Sequence, residues 1–275
     1  MGTCQPLPDR TPLKLLRILP FLTLSLLAPG QTPKSPDAGR LLVEVDPGHG
    51  GEDDGAHGRR GLLEKDVALD LAQELARQLE AAGFEAHLTR DSDQFVPLWD
   101  RARKANTEGA DLFISLHLNA DPSRMARGSE VYFLSLGTGD RAAALLAAAE
   151  NAGDGPGANA DPNNVVAGIL DDLSQEAYLR DSERLAVAIQ AQLNLLGGIR
   201  QRGVKQAPFV VLRGAAMPAV LVETAFISNP REEAKLRDPA FRVQVAQAIT
   251  RGVRRFFAAG TVVPRRANLA GAARP

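Results

Sequence analysis

The sequence predicts one α/β domain with a mainly parallel central sheet. Short segments rich in Val, Leu, Ile and Phe alternate along the chain with longer segments whose apolar residues recur every three or four positions. The first pattern indicates buried strands and the second indicates amphipathic helices. Their alternation from Arg40 onward is typical of a parallel sheet covered by helices, and neither an internal repeat nor a second domain is visible.

The predicted elements can be placed in order along the chain. Strands are expected at Leu41–Val45, Phe84–Leu88, Asp111–Leu118, Ser129–Leu134, Phe209–Leu212 and Ala219–Glu223. Helices are expected at Leu63–Leu79 with a cap at Gly83, at Leu98–Thr107, Arg141–Glu150, Val165 to about Leu196, and Phe241–Phe257. Between the third and fourth helices lies a loop rich in Gly, Asn, Asp and Pro, Gly153–Asn164.

Composition limits the kinds of partner and of metal site. The chain has 275 residues, 24% of them charged, and a formal net charge of −1, so no overall basic field exists to attract nucleic acid. Its only cysteine is Cys4, which leaves no disulfide framework and no cysteine-based zinc site. Any metal must therefore be held by His, Asp or Glu.

The N-terminus has the pattern of an export signal. Three basic residues precede an apolar run, Ile18–Ala28, that is too short to span a bilayer comfortably. Small residues just before Gln31 predict cleavage there, so residues 1–30 are expected to be a signal peptide. The alternatives are a membrane anchor and an uncleaved tail. An export signal would place the mature protein outside the cytoplasm, in the periplasm, the cell wall or the medium, without a membrane partner.

The other boundaries follow from composition. Residues 31–40 contain two prolines among polar residues and are expected to be a linker. The α/β domain is expected at 41–258. Residues 259–275 are expected to form a disordered tail.

Four polar residues are predicted to meet at the carboxyl edge of the sheet, where the ligand sites of such folds gather. His49 follows the first strand inside the glycine-rich stretch DPGHGG, and His117 and Glu223 end two very apolar strands. Glu64 lies in the first turn of the next helix, where a negative charge is favourable. Ionisable groups at the ends of apolar strands are costly to bury unless a partner compensates them.

Each of these residues also has an ordinary explanation when taken alone. His117 could be a core histidine and Glu223 a member of a structural ion pair. The glycine-rich loop is not a phosphate loop, because it lacks a complete GxGxxG and carries three acidic residues after His49. His57 and His87 are expected to be a solvated loop residue and a strand residue rather than ligands. Two imidazoles and a carboxylate together, however, are a ligand set typical of catalytic zinc.

Several longer segments occur in a specific order between Leu41 and Phe257. They are VDPGHGG, LLEKDVAL, LTRDSD, ADLFISLHLNA, GSEVYFLS and RGVKQAPFVVLRGAAMPAVLVETAFISN. No single segment is decisive, but the ordered set resembles the zinc-dependent N-acetylmuramoyl-L-alanine amidases of bacterial cell walls. The resemblance implies a three-layer α/β sandwich of the phosphorylase/hydrolase-like type, with a sheet of about six strands flanked by helices.

The same resemblance assigns roles to the four polar residues. The ligands of Zn²⁺ map to His49, Glu64 and His117, and the catalytic acid/base maps to Glu223. The implied reaction is zinc-dependent hydrolysis of the amide bond between N-acetylmuramic acid and L-alanine in peptidoglycan, for wall remodelling or daughter-cell separation. The family has a small residue after the second histidine, where this chain has Leu118, which is expected to touch the wall of the groove.

Two other classes of protein stay open on the sequence. A zinc exopeptidase of related architecture would use similar ligands in a closed pocket that receives a chain terminus. A catalytically inactive peptidoglycan-binding module would lack a ligand or the base, whereas all four positions are filled here.

A further expectation concerns control of the activity. In division-associated amidases of the family, an inserted helix lies over the zinc and is displaced by an activator protein. The segment Arg141–Asn164 stands at that place, and Glu150 is the candidate for an autoinhibitory ligand. An ordinary surface helix followed by a mobile loop explains the same segment equally well.

Overall fold

The computed structural model describes residues 1–2, 39–135, 140–153 and 165–260. The predicted signal peptide from residue 3 on, the linker up to residue 38, residues 154–164 and the tail from residue 261 on lie outside the described residues. Contacts divide the chain into Met1–Ala38 and Gly39–Pro275, and the fold below is that of the second unit. No helix in the described ranges is long and apolar enough to cross a membrane.

Six strands form one sheet in the order β2-β1-β3-β6-β4-β5. They are β1 (Leu42–Pro47), β2 (Glu85–Leu88), β3 (Leu112–Asn119), β4 (Ser129–Leu134), β5 (Gln201–Ala207) and β6 (Ala219–Phe226). Strands β2, β1, β3 and β6 are parallel, whereas β4 is antiparallel to β6 and parallel to β5. The predicted mainly parallel sheet is confirmed.

Helices cover both faces of this sheet. They are α1 (Glu64–Ala81), α2 (Leu98–Glu108), α3 (Arg141–Glu150), α4 (Val165–Leu193), α5 (Pro230–Leu236) and α6 (Pro239–Ala258). Apolar residues of α1, α4 and α6 pack on one face of the sheet, and alanines of α2 and α3 pack on the other. The three-layer sandwich is therefore confirmed.

One predicted strand is wrong. Phe209–Leu212 does not join the sheet, because Val210–Leu212 forms a single 3-10 turn whose side chains are buried beside α2. The apolar run marks burial rather than strand pairing. The sheet instead gains the edge strand β5, whose sequence QRGVKQA is half-exposed and shows no apolar pattern. The short helix α5, capped by the side chain of Asn229, is not predicted from the sequence either.

The two faces of the sheet differ in polarity, and this difference positions the site. The face toward α1, α4 and α6 is apolar along β1 and β3, with Val43, Val45, Ile114 and Leu116 in its core. The face toward α2 and α3 is apolar at one end only. Toward the carboxyl ends of β1, β3 and β6 it carries a buried polar group of side chains, Asp46, Ser115, His117 and Glu223.

Candidate metal centre

The loop after β1 turns sharply so that His49 faces the polar end of the sheet. His49 has φ 58°, the only positive φ of a non-glycine residue among those described. This left-handed conformation costs an L-residue about 1–2 kcal/mol. Gly48 beside it has no room for a side chain, since a Cβ there would lie 2.5 Å from ring atoms of His117. The glycines of DPGHGG therefore allow both the turn and the close approach of the two histidines.

Three neighbouring strands, β3, β6 and β4, also bring ionisable side chains to the polar end of the sheet. His117 of β3 pairs with Glu223 of β6, and Glu223 pairs in turn with Glu130 of β4. Side chains of paired residues point to the same face of a sheet. His117, Glu223 and Glu130 thus form a row of three buried ionisable groups across neighbouring strands.

The predicted ligands converge on one point. Oε1 of Glu64 lies 3.2 Å from His49 Nε2 and 3.2 Å from His117 Nδ1. Oε2 of Glu150 lies 3.3 Å from His49 Nε2 and 3.0 Å from His117 Nδ1. The ligand atoms of these four residues all lie within 4.8 Å of one another, so the structure brings together every ligand that the sequence predicts, including Glu150.

The arrangement fits a metal ion better than it fits hydrogen bonding. Within the described residues, His49 Nε2, His117 Nδ1 and Glu150 Oε2 are buried and have no hydrogen-bond partner. Buried polar atoms are rarely left unsatisfied. Ligands about 2.0–2.2 Å from a tetrahedral zinc ion would lie about 3.3–3.5 Å apart, close to the separations between these carboxylate oxygens and ring nitrogens. The cluster could therefore hold a metal ion.

Other residues fix the orientation of the ligands. Nδ1 of His49 lies 2.8 Å from Oδ2 of Asp53, which leaves Nε2 directed at the cluster. Glu64 accepts hydrogen bonds from the backbone N–H groups of Ala56 and Leu118, each at 2.8 Å. A carboxylate behind a ligating histidine and hydrogen bonds to a ligating carboxylate are typical of metal centres.

The electrostatics of the cluster show the charge balance that a cation would meet. Burial lowers the pKa of His117, but the negative charge of Glu150 and the close contacts with the carboxylates of Glu150 and Glu64 outweigh it and raise that pKa to about 10. The pKa of His49 is also raised, because Glu64 and Asp53 outweigh its burial. Both shifts reflect the excess of negative charge that Glu64, Glu150 and Asp53 place around the two rings, which a bound cation would neutralise.

Glu223 is the member of this row whose carboxylate makes no hydrogen bond within the described residues. Its side chain is fully buried, and neither carboxylate oxygen has a hydrogen-bond partner among the described residues. Burial raises its pKa well above the usual range, and the negative charge of Glu150 raises it further. A carboxyl group in this state can hold a proton near neutral pH and release it to a nearby acceptor.

The position of Glu150 depends on how α3 is held. Asp140 caps the N-terminus of α3, accepting from the backbone of Ala142 at 2.9 Å. At the other end, Asn151 donates to the carbonyl of Pro208 at 3.0 Å and accepts from the N–H of Val210 at 2.8 Å. The 3-10 turn therefore serves as the anchor for the end of α3 that carries Glu150.

The remaining predicted residues lie away from the cluster or differ from expectation. His57 is 61% exposed and pairs with Asp54, and His87 lies outside the cluster, in a second group with Glu44 and Glu108 whose ligand atoms also lie within 4.8 Å of one another. Leu118 does not touch the groove: its side chain is buried in the apolar core on the opposite face of the sheet, because residue 118 follows His117 in a strand.

Sequence reasoning misses the residues that support the ligands. Asp53 lies four positions after His49, and that spacing within an acidic run is a weak signal at best. Glu130 gives no signal that separates it from an ordinary strand residue. Arg90 and Arg101 look like surface charges in the sequence, yet both are almost fully buried next to the His49 loop.

The fold and the site together define an α/β protein with a candidate His/Glu metal centre at the carboxyl edge of its sheet. Residues 43–255 match the family model described as N-acetylmuramoyl-L-alanine amidase. The chain belongs to this family, as the sequence motifs predict.

Known relatives and solved structures agree with this assignment. The chain is 41% identical to the amidase AmiC of Neisseria meningitidis serogroup B, a match that covers 89% of this chain and 59% of that protein. It is 39% identical to AmiA of Escherichia coli K12, covering 80% of this chain and 77% of that protein. The amidase AmiC2 of Nostoc punctiforme superimposes with a TM-score of 0.60 at 32% identity, covering 80% of this chain and 98% of that one. The chain thus spans less than two thirds of the Neisseria relative.

Proposed function

We propose that this chain hydrolyses the amide bond between N-acetylmuramic acid and L-alanine in peptidoglycan, with Zn²⁺ held by His49, Glu64 and His117. The observation that carries the proposal is the convergence of two unpartnered imidazole nitrogens on one carboxylate oxygen, 3.2 Å from each. Two histidines and a glutamate are a ligand set of catalytic zinc sites, in which a further position stays open to water or substrate. Membership of the amidase family supports the choice of bond.

The protein groups divide the remaining work among themselves. When bound, zinc supplies Lewis acidity, which polarises a carbonyl group and lowers the pKa of water toward about 7. Glu223 receives the proton of the attacking water and passes it to the departing amine nitrogen. It must be ionised to receive that proton, and the raised pKa that burial gives it favours its keeping the proton until the amine departs. Asp53 holds His49 in the tautomer that leaves Nε2 without a proton.

Glu150 is proposed to lower the activity of the enzyme until an activator protein moves α3. Its Oε2 lies within 3.3 Å of a ring nitrogen of both histidines, the same two nitrogens that lie 3.2 Å from Oε1 of Glu64. A carboxylate at that place would compete with water and substrate for the open position of the zinc. The arrangement supports an autoinhibited resting state rather than an ordinary surface helix.

Export is part of the same proposal, because peptidoglycan lies outside the cytoplasmic membrane. The support is the basic and apolar pattern of residues 1–30, with cleavage before Gln31 and a catalytic domain at 41–258. Expression of the full chain in a bacterial host and N-terminal sequencing of the exported product should give Gln31 as the first residue. Retention of Met1 in the exported protein would contradict the proposed cleavage.

Digestion of purified peptidoglycan tests the activity. Zinc-loaded protein should release stem peptides with a free N-terminal L-alanine and leave glycan strands intact, as judged by mass spectrometry of the soluble products. Protein stripped of metal by a chelator should release none, and added zinc should restore the release. If Glu150 blocks the site, the Glu150→Ala variant is the form to assay first. Cleavage inside the stem peptide, or none by that variant, would contradict the proposal.

A further inference from the structure

Two arginine side chains lie buried beneath the candidate metal centre. Arg90 follows β2 and Arg101 lies in α2, and they are only 1% and 2% exposed. A buried guanidinium is costly unless its donors are satisfied. Among the described hydrogen bonds of this pair, a single carboxylate takes part, Asp46, whose Oδ1 lies 2.9 Å from Nη1 of Arg101. The other donors of both arginines reach backbone carbonyl oxygens.

Three of those carbonyls are consecutive and belong to the His49 loop, residues 47–51. Pro47 accepts from Arg90 Nε at 3.1 Å and from Arg101 Nη1 at 2.7 Å. The next carbonyl, of Gly48, accepts from Arg90 Nη2 at 2.7 Å. The carbonyl of His49 itself accepts from Arg101 Nη2 at 2.9 Å. The two guanidinium groups thus hold the backbone where the chain leaves β1.

The same arginines reach the two segments that flank the cluster. Nη2 of Arg90 donates to the carbonyl of Lys65, the residue after the ligand Glu64, at 2.9 Å. The carbonyls of Ser92 and Val96, in the rim loop of residues 91–97, accept from Arg90 Nη1 at 3.1 Å and from Arg101 Nε at 2.9 Å. The rim loop contributes no ligand, although its Phe95 and Val96 line the cavity around the cluster.

We propose that Arg90 and Arg101 are positioning residues for the metal centre: they hold His49 in its left-handed conformation and join the His49 loop, the start of α1 and the rim loop into one unit. The inference rests on the proposed zinc site. Consecutive carbonyls need several donors in a fixed plane, which a guanidinium supplies and an ammonium does not. A lysine at either place keeps the positive charge, but its donors diverge from a single nitrogen and cannot reach the carbonyls that each arginine contacts through three separate nitrogens.

The first test uses lysine substitutions that preserve the charge. In Arg90→Lys and Arg101→Lys, the affinity for zinc, measured by competition with a chromophoric chelator, should fall by about 10–100-fold, as for other groups that orient metal ligands. The visible absorption of the Co²⁺-substituted variants should change in intensity and position, because the His49 ring no longer has a fixed orientation. The matched control is Arg103→Lys on the same helix, where the arginine is 65% exposed and should matter little to either measurement.

A second measurement needs no substitution and stands even where a lysine variant does not fold. Hydrogen exchange of the wild-type protein, followed by mass spectrometry, should slow on zinc binding in residues 47–51 and also in the rim loop, which has no ligand. Unchanged exchange in the rim loop overturns the proposed coupling. Zinc affinity and cobalt spectra equal to wild type in both lysine variants overturn the positioning role while leaving the zinc site intact. A wild-type protein that binds no zinc overturns the proposed function itself, and this inference with it.

Discussion

At the scale of single residues, the four histidines of the chain differ in how they are held. His49 and His117 are buried with one unpartnered nitrogen each, whereas His57 is largely exposed and His87 pairs with surface carboxylates. Burial with a free ring nitrogen is what a metal ligand needs. Replacing His49 or His117 by alanine should therefore affect zinc binding, whereas replacing His57 should not.

The first prediction concerns zinc binding by these histidines. His49→Ala and His117→Ala should each weaken zinc binding by more than about 100-fold, because each removes a ligand rather than a group that orients one. Metal analysis of the purified variants measures the result. His57→Ala is the control and should keep its zinc and most of its activity. Full zinc occupancy in either of the first two variants would refute the ligand assignment.

The second prediction separates metal binding from catalysis at Glu223. Glu223→Gln keeps the volume of the side chain and loses the proton-transfer group. Zinc content should stay unchanged, while hydrolysis of peptidoglycan should fall by about 10²–10⁴-fold or more, since the group acts both as base and as acid. The comparison is made in the Glu150→Ala background, so that the basal rate is measurable. A rate close to that of the background variant would mean that the base lies elsewhere.

At the scale of elements, α3 carries Glu150 of the cluster but packs few of its residues into the core. It is rich in alanine, and among its described residues only Ala143 and Ala147 are buried in the core. Its attachment relies instead on the two hydrogen bonds of Asn151 at one end and the Asp140 cap at the other. A helix with so little buried surface is easier to displace than α1 or α6, which pack along the sheet with many apolar residues.

The third prediction follows from this attachment. Deletion of residues 141–164, with a short Gly/Ser linker in their place, should raise the rate of peptidoglycan hydrolysis several-fold, and Glu150→Ala should do the same. Asn151→Ala should raise it less, because it loosens α3 without removing the carboxylate. Leu145→Ala, at an exposed position of the same helix, is the matched control. Unchanged hydrolysis in a well-folded deletion variant would remove the idea of autoinhibition.

At the scale of the whole molecule, a buried glutamate outside the candidate metal centre should make the free energy of unfolding depend on pH. Glu44 of β1 is fully buried and pairs with Lys104 at 3.0 Å. Burial raises its pKa to about 7 from the ordinary 4.5, although the hydrogen bond from Lys104 opposes the shift. Between these two pH values the folded state holds a proton on Glu44 that the unfolded chain has lost. The free energy of unfolding therefore decreases as pH rises from 4.5 through about 7.

The fourth prediction tests this linkage. Glu44→Gln cannot ionise, so its melting temperature relative to wild type should rise between about pH 5 and about pH 8. Thermal melts of both proteins across that range give the difference. The exposed substitution Glu80→Gln should show no such trend. A constant difference between Glu44→Gln and wild type would mean that Glu44 does not titrate in this window.

The fold and the convergence of the four residues of the candidate metal centre are predictable from the sequence for identifiable reasons. Apolar strands such as Leu112–Asn119 and the four-residue spacing of α1 are strong local signals, and the carboxyl edge of a parallel sheet gathers the residues that end its strands. The edge strand β5 is polar and half-exposed, so it has no such signal. Asp53, Arg90 and Arg101 act through contacts between segments that are distant in sequence, and a single chain gives no pattern for such contacts.

The close approach of Gly48 to His117 has a consequence for how members of this family are recognised. A Cβ at position 48 would occupy the space of the imidazole ring, so a chain with any other residue there has to move a histidine that it still possesses. On the proposed zinc site, a relative would thus retain every ligand and the glutamate and still be a pseudoenzyme if a methyl group replaced one hydrogen of this glycine. The presence of all the ligands is therefore insufficient to distinguish active members of the family from inactive ones. The residue at the position of Gly48, between Pro47 and His49, has to be inspected as well.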